Sequence, residues 1–248
     1  MAGSITFAGI VEEVFAVLRQ GFVPLYRAAA ALIAPLLVFL LVVDTLALPA
    51  WAANAAGIVS AFAIVFAWAV LIRVASDVID GRDPLRPYRY VAALLPRVWL
   101  VLGVALVFYV IEVAGFVLLV VPAVWLGVMF SLALAAAAQG GAGLRGAFAK
   151  SYRLVSGAFW VCLAAEALAI FLTIAVPAVL DLPFLFGRLT RNLAANAPLA
   201  MTWTAIIWVI VLPLVPTTLA VLYRLRTAVG PAMSGLVERD QGGQHLTH

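Results

Sequence analysis

From Val98 to Ala138 the chain reads VWLVLGVALVFYVIEVAGFVLLVVPAVWLGVMFSLALAAAA, and Glu112 is its single charged residue. Runs of this kind constrain the fold more than any other feature. About twenty apolar residues suffice to cross a bilayer as a helix, and this chain holds several such runs. They do not alternate apolar with polar residues, as the strands of a membrane barrel would. With 67% hydrophobic and only 10% charged residues, the chain lacks the polar surface to cover a water-soluble globule. The expected fold is all-α: one integral membrane domain over residues 1–248, a polytopic helical bundle with amphipathic helices at the cytoplasmic side.

Spans are expected near residues 27–48, 55–76, 98–118, 122–138, 158–180 and 200–222. Residues 5–22 place Phe7, Ile10, Val11, Val14, Phe15, Leu18 and Phe22 on one helical face, with Glu12, Glu13, Arg19 and Gln20 away from it. This reads as an amphipathic helix in the membrane interface, turning into the first span at Pro24. It does not read as a signal peptide, because acids stand where a basic flank would be. A second amphipathic segment, residues 142–157, sets Leu144, Phe148, Tyr152, Val155 and Phe159 against Arg145, Lys150 and Arg153. Between spans two and three lies a polar connector rich in Asp, Arg and Pro, with a short helical piece from Tyr88 to Leu95. Residues 227–248 read as a loose polar tail.

Six spans with the N-terminus inside put thirteen basic residues at the cytoplasmic face and only Arg188 and Arg191 outside. That asymmetry obeys the positive-inside rule, and five or seven spans would destroy it. A bacterial cytoplasmic membrane, with both termini inside, is the expected location.

The tetrapeptide VPAV occurs at Val121–Val124 and again at Val176–Val179, with Glu112 and Glu166 ten and eleven residues before the two prolines. Each amphipathic segment precedes a two-span hairpin, so the chain reads as three units starting near residues 5, 84 and 142. Both prolines are expected to end a first span at its outer side, since proline lacks an N–H and restricts the residue before it. Chance is the alternative, because Val and Ala are abundant here.

LRGAFAKSYRLVSGAFW, Leu144–Trp160, resembles the "ALxxSxxLxxGxxW" segment of bacterial six-span proteins grouped around the membrane domain of glycerophosphoryl diester phosphodiesterases. Ser151, Leu154, Gly157 and Trp160 match it. LAVLYRLRTAVG, Leu219–Gly230, is similar to their "LYxDLRxRxEG" ending, but lacks the acid before Leu225 and is a residue shorter. EEVFAVLRQGFVPL and VVPAVWLGVMFSLAL resemble their amphipathic start and proline-led central span, with Ala136–Ala138 replacing a proline usual there. The resemblance implies an integral membrane module without a defined activity. No phosphodiesterase barrel is expected within these residues, and a link to lipid is what the likeness implies.

Glu112 and Glu166 are the acids set inside spans. A charge at mid-bilayer costs a few kcal/mol or more, so such a carboxyl either packs as a neutral hydrogen-bond donor or lines a polar path. Tyr109, one turn before Glu112, is its expected hydrogen-bond partner. Arg86, Arg89 and Arg97, with Arg145, Lys150 and Arg153, are candidates for anionic lipid headgroups, or merely set topology. The tryptophans read as an interfacial belt.

No cofactor is expected. The histidines, His245 and His248, lie in the tail; Cys162 is the single cysteine; Lys150 sits in a connector. No nucleophile–His–acid set, zinc motif or phosphate loop occurs, so neither an enzyme nor a nucleic-acid partner is expected. Two functions remain open. One is a non-enzymatic module that binds lipid or a membrane partner, or serves as an accessory subunit, and it predicts a tightly packed bundle. The other is a small transporter or permease for a polar or amphiphilic solute, and it predicts a water-reachable cavity holding Glu112 and Glu166.

Overall fold

A computed structural model describes residues 6–46, 49–118, 120–140, 143–182, 203 and 206–243. Among these residues there is no strand, and six helical stretches are long and apolar enough to cross a membrane. The protein is a polytopic α-helical membrane bundle.

Helix α1, Phe7–Gln20, is capped by the Thr6 side chain, which accepts from Gly9 N–H at 3.3 Å. The chain turns at Gly21 rather than at Pro24, which lies in the first turn of α2, Phe22–Thr45. A side chain at Gly21 would not fit: a Cβ there would stand 2.9 Å from the Val17 carbonyl oxygen and 3.0 Å from Val78. Helix α3, Ala50–Ile79, ends at Asp80 and at Gly81, whose φ of 65° suits glycine. Helix α4, Pro87–Leu94, and a 3₁₀ turn, Leu95–Arg97, lead into α5, Val98–Leu118.

The fourth span is two helices, α6, Val120–Phe130, and α7, Ala133–Gln139, separated by a break at Ser131 and Leu132. Helix α8, Leu144–Ser156, turns at Gly157 into α9, Phe159–Leu180. The last span is helical over residues 206–211, breaks at Leu212–Pro213 and resumes as α10, Leu214–Gly243. Where the sequence suggests a loose tail from Thr227, α10 continues to Gly243; extending an existing helix adds one hydrogen bond per residue and needs no new nucleus.

The two prolines of the repeated tetrapeptide occupy different places. Pro122 is in the first turn of α6, the opening of a second span, whereas Pro177 sits inside the last turn of α9 without ending it. A proline near a helix start removes no bond, and one near the end removes only one, so neither forces the turn.

The packing sets first and second spans apart. The second spans are the more enclosed: over their apolar 18-residue stretches 39%, 44% and 67% of residues are buried, against 22%, 17% and 17% for the first spans. The inner helices α3, α7 and α10 touch one another, and small residues make this possible: Ala133 and Ala135–Ala138 of α7 are all buried. Each amphipathic helix rests on a different unit's hairpin. Helix α4 packs on α2 and α3, α8 on α5, α6 and α7, and α1 on α9 and α10, so the contacts close in a ring.

This ring explains two departures from the sequence pattern. The buried stripe of α1, Ile10, Val14, Val17 and Leu18, faces protein. Its N-terminal part shares a crevice with Ala165, Leu168 and Leu172 of α9, two turns or more inside that span, rather than lying only in the interface. In α8 the buried residues are Ala147, Ser151 and Val155, while Leu144 and Tyr152 of the expected apolar stripe are exposed. Close approach to α6 and α7 selects the small side chains over the large ones.

Candidate functional site

The break in the fourth span frees carbonyls that an unbroken helix would satisfy, and in lipid such groups need partners. Ser151 supplies one, donating to the Met129 carbonyl at 2.9 Å from α8. Ser131 supplies another: its Oγ lies 2.9 Å from the Val128 carbonyl oxygen. The same Oγ lies 2.5 Å from Glu166 Oε1. The Val128 carbonyl also accepts from Ser131 N–H at 3.4 Å, so the Ser131 hydroxyl can turn its one proton to the Glu166 carboxyl without leaving that carbonyl unpaired.

Glu112 and Glu166 line one cavity of about 690 Å³, with walls from α3, α5, α6, α7, α9 and α10. Glu112 meets Gly127 and Glu166 meets Ser131, four residues further along the fourth span, so the acids differ in depth by roughly 6 Å. The matched spacing to VPAV conceals this, because Pro122 lies beyond a turn and Pro177 does not. Glu112 makes no hydrogen bond among the described residues. Its Oε1 presses against Gly127, where an added Cβ would be only 3.2 Å away.

Tyr109 also lines the cavity but makes no hydrogen bond to Glu112; it is exposed on the lipid side. The Tyr109 ring and the side chains of Ile170 and Phe171, both exposed on α9, form a rim. Exposed side chains at mid-span face hydrocarbon, so this mouth, between α5 and α9, opens sideways to lipid. Trp68 is in the cavity wall, and its Nε1 is buried without a hydrogen-bond partner among the described residues. It stands apart from Trp51, Trp99 and Trp160, which are exposed near helix starts as an interfacial belt would be.

The basic candidates divide. Arg86, Arg89, Arg145 and Arg153 are exposed and make no ion pair among the described residues. Lys150 is half-buried and donates to Tyr223 Oη at 2.5 Å, so it ties α8 to α10 instead of facing headgroups. The Arg97 guanidinium packs on Gly140, whose φ is 85°. Arg188 and Arg191 lie outside the described residues. Sequence reasoning missed a second network. Arg82 bridges Asp77 at 2.7 Å and Asp80 at 2.5 Å, Tyr90 donates to Asp77 at 2.7 Å, and Arg224 of α10 pairs with Asp80. The polar connector is thereby fastened to the last helix. The clustering of Asp and Arg between residues 77 and 82 was the available signal, but its partner Arg224 is far away in sequence.

No protein-family profile, curated protein or solved structure matches this chain.

Proposed function

We propose that the protein is a small transporter or permease for an amphiphilic solute that enters from the bilayer. The observation that carries this reading is the single cavity holding both intramembrane carboxyls. A tightly packed accessory module would have filled that space, since each unfilled volume forfeits packing contacts. The walls are mostly apolar, which suits a hydrocarbon chain, and the two acids at different depths offer successive polar stations for a headgroup. An accessory or lipid-binding module remains the alternative, and the likeness to phosphodiesterase membrane domains is compatible with either.

The test is to photolabel the reconstituted protein with a neutral long-chain diazirine probe. Labelling should concentrate on α5 and α9 around the mouth. Filling the cavity by Ala167→Trp, at a lining residue, should lower it several-fold. Even labelling over the whole lipid-facing surface, unchanged by Ala167→Trp, would end this reading.

The proposed orientation puts the amphipathic helices at the cytoplasmic face of a bacterial inner membrane. The exposed arginines Arg86, Arg89, Arg145 and Arg153 would there meet anionic headgroups, at about 1 kcal/mol each. In a Cys162→Ala background, Arg86→Cys and Arg145→Cys should react with an impermeant thiol reagent only from the cytoplasmic side. Arg188→Cys should react only from outside. Labelling of Arg145→Cys from outside would reverse the orientation.

A further inference from the structure

We infer that the cargo carries a cationic headgroup and that Glu112 is the carboxyl that pairs with it. This rests on the cavity being a binding site, and it adds the charge of the ligand and the residue that reads it.

Three observations support the assignment. The described lining residues include two carboxyls and no Lys, Arg or His, so an anionic headgroup would meet only like charge. The two acids are not equivalent. Glu166 is engaged with Ser131, which is itself held to the Val128 carbonyl, whereas Glu112 has no hydrogen-bond partner among the described residues. An acceptor facing an apolar cavity without a partner is where an incoming donor or cation gains most, because no existing bond must be broken first. Thirdly, Trp68, Phe108 and Phe130 contribute aromatic rings to the same cavity, and their negative π faces favour a cation over an anion or a neutral group.

Gly127 fits this role. Any side chain there would crowd Glu112 Oε1, so the glycine leaves the carboxylate room to accept a ligand. The rim at Tyr109 and Phe171 supplies the entry route: an amphiphile dissolved in the bilayer reaches Glu112 sideways with its chain still in hydrocarbon. Glu166, deeper toward the basic face, acts as a positioning residue through Ser131 and does not make the first contact. Anionic lipids are thus assigned to the exposed arginines outside, and cations to the cavity within.

The probe is radiolabelled dodecyltrimethylammonium, bound to the full-length protein in nanodiscs of zwitterionic lipid, with empty nanodiscs subtracted. Radiolabelled dodecanol and laurate serve as neutral and anionic probes of the same chain length, each also used unlabelled as a competitor. The wild-type protein should prefer the cation to dodecanol by tenfold or more, and laurate should compete least. Glu112→Gln should remove that preference while leaving dodecanol binding unchanged. Glu112→Asp, which keeps the charge, should retain part of it, and Glu166→Gln should reduce it less than Glu112→Gln. Competition by dodecanol and laurate as strong as that by unlabelled dodecyltrimethylammonium would overturn the cationic assignment and leave the cavity reading intact. Full cation preference in a folded Glu112→Gln protein would overturn the role of Glu112. An absence of binding above empty nanodiscs for all three probes would overturn both this inference and the transporter reading.

Discussion

Gly115→Leu should unfold the α5–α6 hairpin, whereas Gly57→Leu should leave the protein as stable as before or slightly more so. A Cβ at Gly115 would lie 2.7 Å from Ala123 Cα and 3.1 Å from both its Cβ and its nitrogen. These are backbone atoms or the first side-chain carbon, which cannot rotate aside, so the two helices must separate. Overpacking costs typically about 1–3 kcal/mol, and an unyielding backbone neighbour puts this site at or above the upper end. At Gly57 nothing stands within 4 Å, and replacing a helical glycine recovers about 0.5–1 kcal/mol. Thermal unfolding in detergent reads both. Equal melting temperatures for the two variants would contradict the close hairpin. The same contact gives the tetrapeptide a use that the prolines do not: in its first copy, Ala123 is the residue on which Gly115 rests.

Loss of both carboxyls should abolish transport without unfolding the protein. In vesicles, uptake of a lipophilic cation such as tetraphenylphosphonium should fall at least tenfold in the Glu112→Gln/Glu166→Gln protein, equivalent to about 1.4 kcal/mol or more. Glutamine keeps volume and hydrogen bonding: at Glu166 its amide can still donate to Ser131, so the melting temperature should stay near that of the wild type. Unchanged uptake in the double variant would return both acids to packing. Unfolding of the double variant but not of either single one would show that the pair supports the bundle.

The membrane class and the six spans follow from the sequence because charge scarcity and run length are local properties. The third span, expected near 98–118, is helix α5, Val98–Leu118. Corners and faces are another matter. Gly21, not Pro24, makes the first turn, where a Cβ would meet Val17 and Leu25 at 2.9 Å and also Val78 of α3 at 3.0 Å, a neighbour far along the chain. The face of α8 is read only in part: Val155 is buried and Phe148 and Phe159 pack on the core as their spacing suggests, but Leu144 and Tyr152 are exposed and Ala147 and Ser151 are buried in their stead. Glu112 and Glu166 stand out in the sequence as isolated acids. That they share a cavity, that one is held by Ser131 and the other is not, and that Tyr109 turns outward all depend on how three hairpins meet. No periodicity within a single helix carries that information.

The ring of amphipathic helices sets an order for biogenesis. Helix α1 is the first of the described helices to leave the ribosome, yet its seat is built from α9 and α10, the last to be made. Until those spans enter the bilayer, Ile10, Val14, Val17 and Leu18 have only the membrane surface and the edge of their own hairpin, α2 and α3, to shelter them. Helices α4 and α8 find the preceding hairpin already inserted and can dock as they emerge. The nascent protein is therefore an open chain of hairpins whose closure awaits its final segment, and a ribosome stalled before residue 206 would leave a membrane-bound intermediate in which α1 lacks the α10 half of its seat.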